Sequence, residues 1–298
     1  MSVEDKAVQV RTKAARSRRP ELKLTIGCII VGFFLLIAVL GPLFTGDPQN
    51  QTNDLLAAPS SAHWLGTTQT GQDVFTQMMV ATRSSLLVGL IVGVTATILS
   101  VLVGVVGGFL GGKWDEALSL FSNVVLVIPG LPLLIMITAY LKNSGEVVIG
   151  LIIAITSWAA SSRVLRAQTL SLRSRDYVNA SRTIGERTPR TIGVEILPNL
   201  LPIIASQFVF AVILGILSEA GLSYLGLGNI NSITWGTMLY FAQNGQALTV
   251  GAWWWFVPPG LAIALFGCGL SLINFSIDEV INPQLKVAGR MKRRKSNR

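Results

Sequence analysis

Apolar positions in this chain come in long blocks rather than in the alternating or three-to-four-residue rhythm of a half-buried surface. The first block, Leu24 to Phe44, is 21 residues long, enough at 1.5 Å per residue to cross a ~30 Å hydrocarbon core. Gly41-Pro42 stands near its end and is expected to stop the helix. Further blocks run Leu86 to Leu110, Ala117 to Leu141, Val147 to Ala160, Leu200 to Leu217 and Trp253 to Ile277. The fourth is only 14 residues long. Its helix is expected to continue through Ser161 and Ser162, with Arg163 reaching back to the headgroups. Tryptophans 253 to 255 mark an interfacial belt. The pattern predicts an all-α integral membrane protein with six transmembrane helices, at 24–44, 86–110, 117–141, 147–162, 200–217 and 253–277. They form one domain, 24–285, between basic tails at 1–23 and 286–298. Residues 45–85 form a polar connection long enough to need local structure.

Two blocks are irregular. The second carries Gly89/Gly93 and Gly104/Gly108, pairs spaced to let helix backbones approach closely in lipid. The third is interrupted by Pro129-Gly130-Leu131-Pro132, which must kink or break the helix. Backbone groups freed there are tolerated against protein or a water-lined cavity. Pro129 and Pro132 therefore mark either a pathway-lining break or a packing kink.

Composition agrees with a membrane protein: 51% hydrophobic, 13% charged, mean hydropathy +0.57, against about 25% charged in ordinary soluble domains. The net charge of +9 is not a nucleic-acid signature, because the basic residues flank apolar blocks. The N-terminal tail, the 163–190 connection and the C-terminal tail each hold seven Lys or Arg, and Lys113 stands in the turn after the second block. The alternate connections hold only Arg83 and Lys142. Positive-inside asymmetry then puts both termini in the cytoplasm, the parity that six spans require.

Little catalytic chemistry is visible. Cys28 and Cys268 sit inside apolar blocks, and His63 is the single histidine, so no metal site is expected. Gly107 to Lys113 has the GxxxxGK spacing of a phosphate loop, but Trp114 stands where Ser or Thr would hold magnesium. No cofactor of the chain's own is expected. Arg83 and Glu219 are charges close to the outer boundary, placed there as interfacial residues or as a pair closing an outer gate.

The most informative stretch is polar and cytoplasmic, Asp176 to Asn199. It reads as two short helices. Asp176 is the candidate N-cap of the first, Gly185 its stop, and Thr188-Pro189 the start of the second. Tyr177, Ala180 and Ile184 share one face; Asn179, Arg182 and Glu186 share the other. A membrane-surface helix, a DNA-binding helix-turn-helix and a rigid docking knob are the readings to weigh, and the flanking spans argue against DNA.

The spacing Asn179-Ala180-Ser181, Gly185, Ile196-Leu197-Pro198 is similar to the EAA loop of permease subunits in binding-protein-dependent ABC importers. Asn179 and Ser181 depart from the usual Glu and Ala. His63 to Thr67, Gly71-Gln72-Asp73, Arg83 to Leu86, Leu222 to Gly228, Trp235-Gly236 and Pro258 to Gly260 resemble the C-type permeases of peptide and nickel importers. Thr68, Gln72 and the segment Gly267 to Ser271 depart from that pattern.

The resemblance implies a type I importer permease, with a cytoplasmic coupling helix between transmembrane helices 4 and 5. Tyr177, Asn179, Ala180, Ser181, Arg182, Ile184 and Gly185 would couple it to an ATPase. It further implies a second, B-type permease, two cytoplasmic ABC ATPase domains that bind the ATP and magnesium, and an extracytoplasmic peptide-binding protein. The setting would be the bacterial inner membrane, and the chain would not be an enzyme. Nickel, haem or another small solute is the alternative cargo. A secondary transporter is a weaker rival, because the expected spans hold no Asp or Glu beyond Glu219 at an edge and no internal repeat is visible. A scaffold protein is the other rival.

Overall fold

The computed structural model describes residues 19–141 and 145–281. The extreme basic tails and Lys142, used above for orientation, lie outside the described residues.

Seven long or paired helices carry the fold. Helix α1 is Arg19–Phe44 and α2 is Val74–Leu110. Helices α3, Gly112–Val127, and α4, Gly130–Tyr140, are bent by 80° at Ile128-Pro129. Helix α5 is Glu146–Arg173, α6 the short Asp176–Thr183, α7 Thr188–Tyr224, α8 Trp235–Asn244 and α9 Trp253–Ile281. Among the described residues five helices are individually long and apolar enough to cross a membrane, and six if the bent α3–α4 pair is counted as one span. The break expected at Pro129 and Pro132 is present, with Leu133 N–H returning to the Pro129 carbonyl at 3.1 Å.

Several helix limits differ from the apolar blocks. Helix α2 starts 12 residues before Leu86, inside the expected polar connection. Asp73 explains it: its carboxylate accepts from the Thr76 amide at 2.8 Å and the Thr76 hydroxyl at 2.7 Å, a strong N-cap. The polar residues of these first turns, Gln77, Thr82 and Ser85, are buried against protein, so hydropathy missed them. Helix α1 runs through Gly41-Pro42 to Phe44 rather than stopping there. The Thr45 hydroxyl bonds the Gly41 carbonyl at 3.0 Å, and a proline this close to a helix end costs little further pairing. Helix α7 likewise holds Pro198 and Pro202, with a π-type turn at Ile192–Ile196 just before them. Such a turn re-registers the ladder where a proline lacks its N–H.

Helix α2 is central and packs on both α5 and α7, while α1 lies against α9 and α9 against α7. The two glycine pairs serve different neighbours. A Cβ on Gly89 would come within 2.6 Å of Ile216, and one on Gly93 would overlap Val212, both on α7. A Cβ on Gly104 would overlap the Ser162 carbonyl, and one on Gly108 would lie 3.2 Å from the Arg166 carbonyl, both on α5. Between them the Ser100 hydroxyl donates to the Trp158 carbonyl at 2.8 Å. The close-approach reading of these glycines therefore holds.

Glu219 also settles within the fold. It is enclosed within the protein in α7, five residues before that helix ends. Its Oε1 accepts from the Ser223 hydroxyl at 2.7 Å and from the Thr234 hydroxyl at 2.8 Å. Thr234 is the N-cap of α8, closing a capping box with Thr237. The Trp235 amide donates to Ser85 Oγ at 3.0 Å, and its indole to Thr82 Oγ1 at 3.3 Å. Glu219 thus fastens the start of α8 between α7 and α2. Arg83 is exposed, and among the described residues no ion pair joins it to Glu219. The expected outer gate pair is not formed, because each of Glu219's bonds is to a hydroxyl.

Two outcomes check this packing. Gly104→Ala should destabilise the protein by ~1–3 kcal/mol, seen as earlier thermal unfolding in detergent. Gly267→Ala, where nothing lies within 4 Å of the new methyl, should unfold like the parent. Glu219→Gln keeps an acceptor for Thr234 and should stay near parental stability. Glu219→Leu strands two buried hydroxyls and should lose ~1–3 kcal/mol in the same assay.

Candidate coupling surface

The segment between α5 and α7 lies at the opposite end of the bundle from α8. It is tied down by apolar anchoring rather than by membrane immersion. Val178 on α6 is completely buried, in a cluster with Val105 and Phe109 of α2, Leu165 of α5, and Ile196 and Leu200 of α7. Ser181 is buried one turn on, its hydroxyl 3.5 Å from that of Thr191. The guanidinium of Arg182 lies over the Phe109 ring, 4.9 Å from its centroid, a cation–π contact.

Further ties hold the helices beneath. Arg166 of α5 grips Asp115 of α3 through two bonds, at 2.6 and 2.8 Å. Arg173 reaches the Gly108 carbonyl at 3.4 Å. Its guanidinium also covers Gly111 in the glycine turn that joins α2 to α3. The GxxxxGK spacing of Gly107 to Lys113 is therefore an interhelical turn. Charge counting assigned Arg166 to topology alone and missed its pairing, because Asp115 is 51 residues away in the chain.

Helix α6 is closed by geometry. Gly185 has φ of +79°, its amide bonds the Arg182 carbonyl, and the Glu186 amide reaches back to Ser181 at 3.1 Å. That is the paired C-terminal motif that a glycine in the left-handed region allows. The N-cap is Arg175 rather than Asp176, which is the first helical residue. Its carboxylate still complements the positive end of the helix. Likewise Arg187 caps the next helix, and Thr188 and Pro189 occupy its first turn.

The expected face of Tyr177, Ala180 and Ile184 is present. Together with Ser181, Thr191 and Val194 it lines a depression of about 310 Å³. Ile184 is 80% exposed and Tyr177 44% exposed. Glu186 lines the same depression and pairs with Arg190, so it does not share a face with Asn179 and Arg182. The turn at Gly185 reverses the chain before Glu186. Asn179 faces solvent, while Ser181 packs inward. Pro129 and Pro132 are exposed at the α3–α4 break, far along the chain from this surface, with Val127 82% and Leu131 59% exposed beside them.

The arrangement is a small apolar knob, presented by a capped helix whose underside is locked into three long helices. Such a shape can receive and transmit a push, and it holds no reactive constellation.

Residues 96–287 match the family described as the binding-protein-dependent transport system inner membrane component. The chain is 33% identical over 266 residues to the oligopeptide transport system permease protein OppC of Bacillus subtilis, covering 88% of this chain and 85% of that one. It is 31% identical over 283 residues to the dipeptide transport system permease protein DppC of the same organism, covering 92% and 86%. It is 33% identical over 259 residues to the probable D,D-dipeptide transport system permease protein DdpC of Escherichia coli, covering 86% of each. By the extent of these matches, this chain belongs to the family of binding-protein-dependent transport system inner membrane components.

Proposed function

We propose that this chain is the C-type permease subunit of an ATP-driven importer that takes up short peptides. It forms half of a transmembrane pathway and makes or breaks no bond itself. The observation that carries the reading is the locked α6 knob, since an apolar projection on a rigid base is what an external motor needs to push. Membership of the family and the peptide names of the relatives support the cargo. The broken α3–α4 crossing, with Pro129 and Pro132 exposed, supports a pathway face completed by a second, B-type permease. Two cytoplasmic ATPase domains would bind ATP and magnesium and press on Tyr177, Ala180 and Ile184. A binding protein outside would deliver the peptide. The chain sits in a bacterial inner membrane with both termini in the cytoplasm.

Mechanically, Val178 transmits motion of α6 directly to α2, α5 and α7, because it is buried among all three. Arg182 on Phe109 opposes lifting of the helix from that base.

Ile184→Asp removes a side chain worth ~1.5–3 kcal/mol when buried by a partner and adds a charge. It should lower ATPase co-purification from detergent by at least about tenfold and abolish uptake, with membrane insertion intact. Gly185→Val forces a branched residue to φ of +79° and should uncouple uptake from ATP hydrolysis while the subunits still assemble. Parental peptide uptake by both variants would refute the coupling role.

A further inference from the structure

The end of the bundle opposite α6 carries a second concave site. It lies where the 45–73 connection meets α8 and the start of α9, with a volume of about 390 Å³, within the range of small-ligand sites. Its lining holds seven carboxamides and three threonine hydroxyls but no charged side chain and no histidine. Gln49, Gln51, Gln69 and Asn231 stand exposed at its rim. Gln77 is buried at the base, donating to Gln72 Oε1 at 2.9 Å. One wall is apolar, built from Ile233, Met238 and Phe241. Trp255 also lines the site; it is only 4% exposed, and its indole N–H has no acceptor.

We propose that this pocket binds the main chain of a short peptide, as a receiving station on the outer side of the permease. The proposal rests on the peptide-importer reading above. A carboxamide presents one donor and one acceptor in a plane, the same pair that a peptide unit offers in return. A cluster of them beside an apolar wall recognises backbone while tolerating many side chains. The absence of charge means that neither peptide terminus is held, so blocked and free peptides should bind alike. Gly245 sets the width: a Cβ there would lie 2.5 Å from the Trp255 ring and 2.8 Å from Gln69 Oε1.

The test uses the complete importer in lipid nanodiscs, titrated with trialanine and with acetyl-trialanine-amide while tryptophan emission is recorded. Both peptides should give a saturable change that disappears in Trp255→Phe. The double variant Gln69→Leu/Asn231→Leu, two exposed rim residues, should weaken both affinities by about tenfold and leave basal ATPase activity unchanged. No saturable change, or the same affinity in the double variant, would overturn the site. So would a preference for trialanine alone, or a change seen only when peptide-free binding protein is added, which would make a loop of that protein the occupant. Trialanine uptake by the unmodified importer tests the importer reading separately: uptake without a Trp255 response rejects this pocket alone.

Discussion

The contact on which the rest depends is the near-touching of α2 and α5 at Gly104. No side chain separates the α2 backbone from the Ser162 carbonyl there, and the Ser100 hydroxyl bridges the same two helices at the Trp158 carbonyl. In lipid there is no water to expel between helices, so close packing and such hydrogen bonds provide much of the association. The same approach brings the inner ends of both helices together. Phe109 then comes to lie under Arg182, and Arg173 over the turn after α2. The placement of α6 therefore follows from helix packing about one turn away.

The two ends of the bundle are built on different chemistry. The inner end is fastened by apolar burial of Val178 and by charged ties such as Asp115–Arg166. The end that carries α8 is rich in hydroxyls and carboxamides, with α8 held through Glu219, Thr234, Ser85 and Thr82. Beside those hydrogen bonds, Trp235, Met238 and Ala242 of α8 are buried in an apolar cluster with Phe34, Val74 and Phe266.

How much could be read in advance differs by element. The break at Pro129 and Pro132 was legible because proline acts locally, through a missing donor and a fixed φ. The stop at Gly185 was legible for a similar reason, since φ of +79° favours glycine. The start of α2 at Val74 was not, because Gln77, Thr82 and Ser85 look like a polar connection until α8 buries them. The burial of Glu219 was not legible for the same reason: the hydroxyls that bond it come from residues 4 and 15 positions along the chain.

By itself, then, the sequence determined the class, the long apolar runs, and a short helix at 176–183 with an exposed apolar face. Length of apolar runs, prolines, glycines and motif spacing act over a few residues and need no partner to be read. Only the tertiary structure decided which polar residues are buried, that Glu219 holds α8 instead of pairing with Arg83, and that Asp115 meets Arg166. It also decided that scattered glutamines and asparagines, with Trp255, close around one pocket. Those outcomes depend on distances between residues remote in the chain, which the packing of α2 against its neighbours sets.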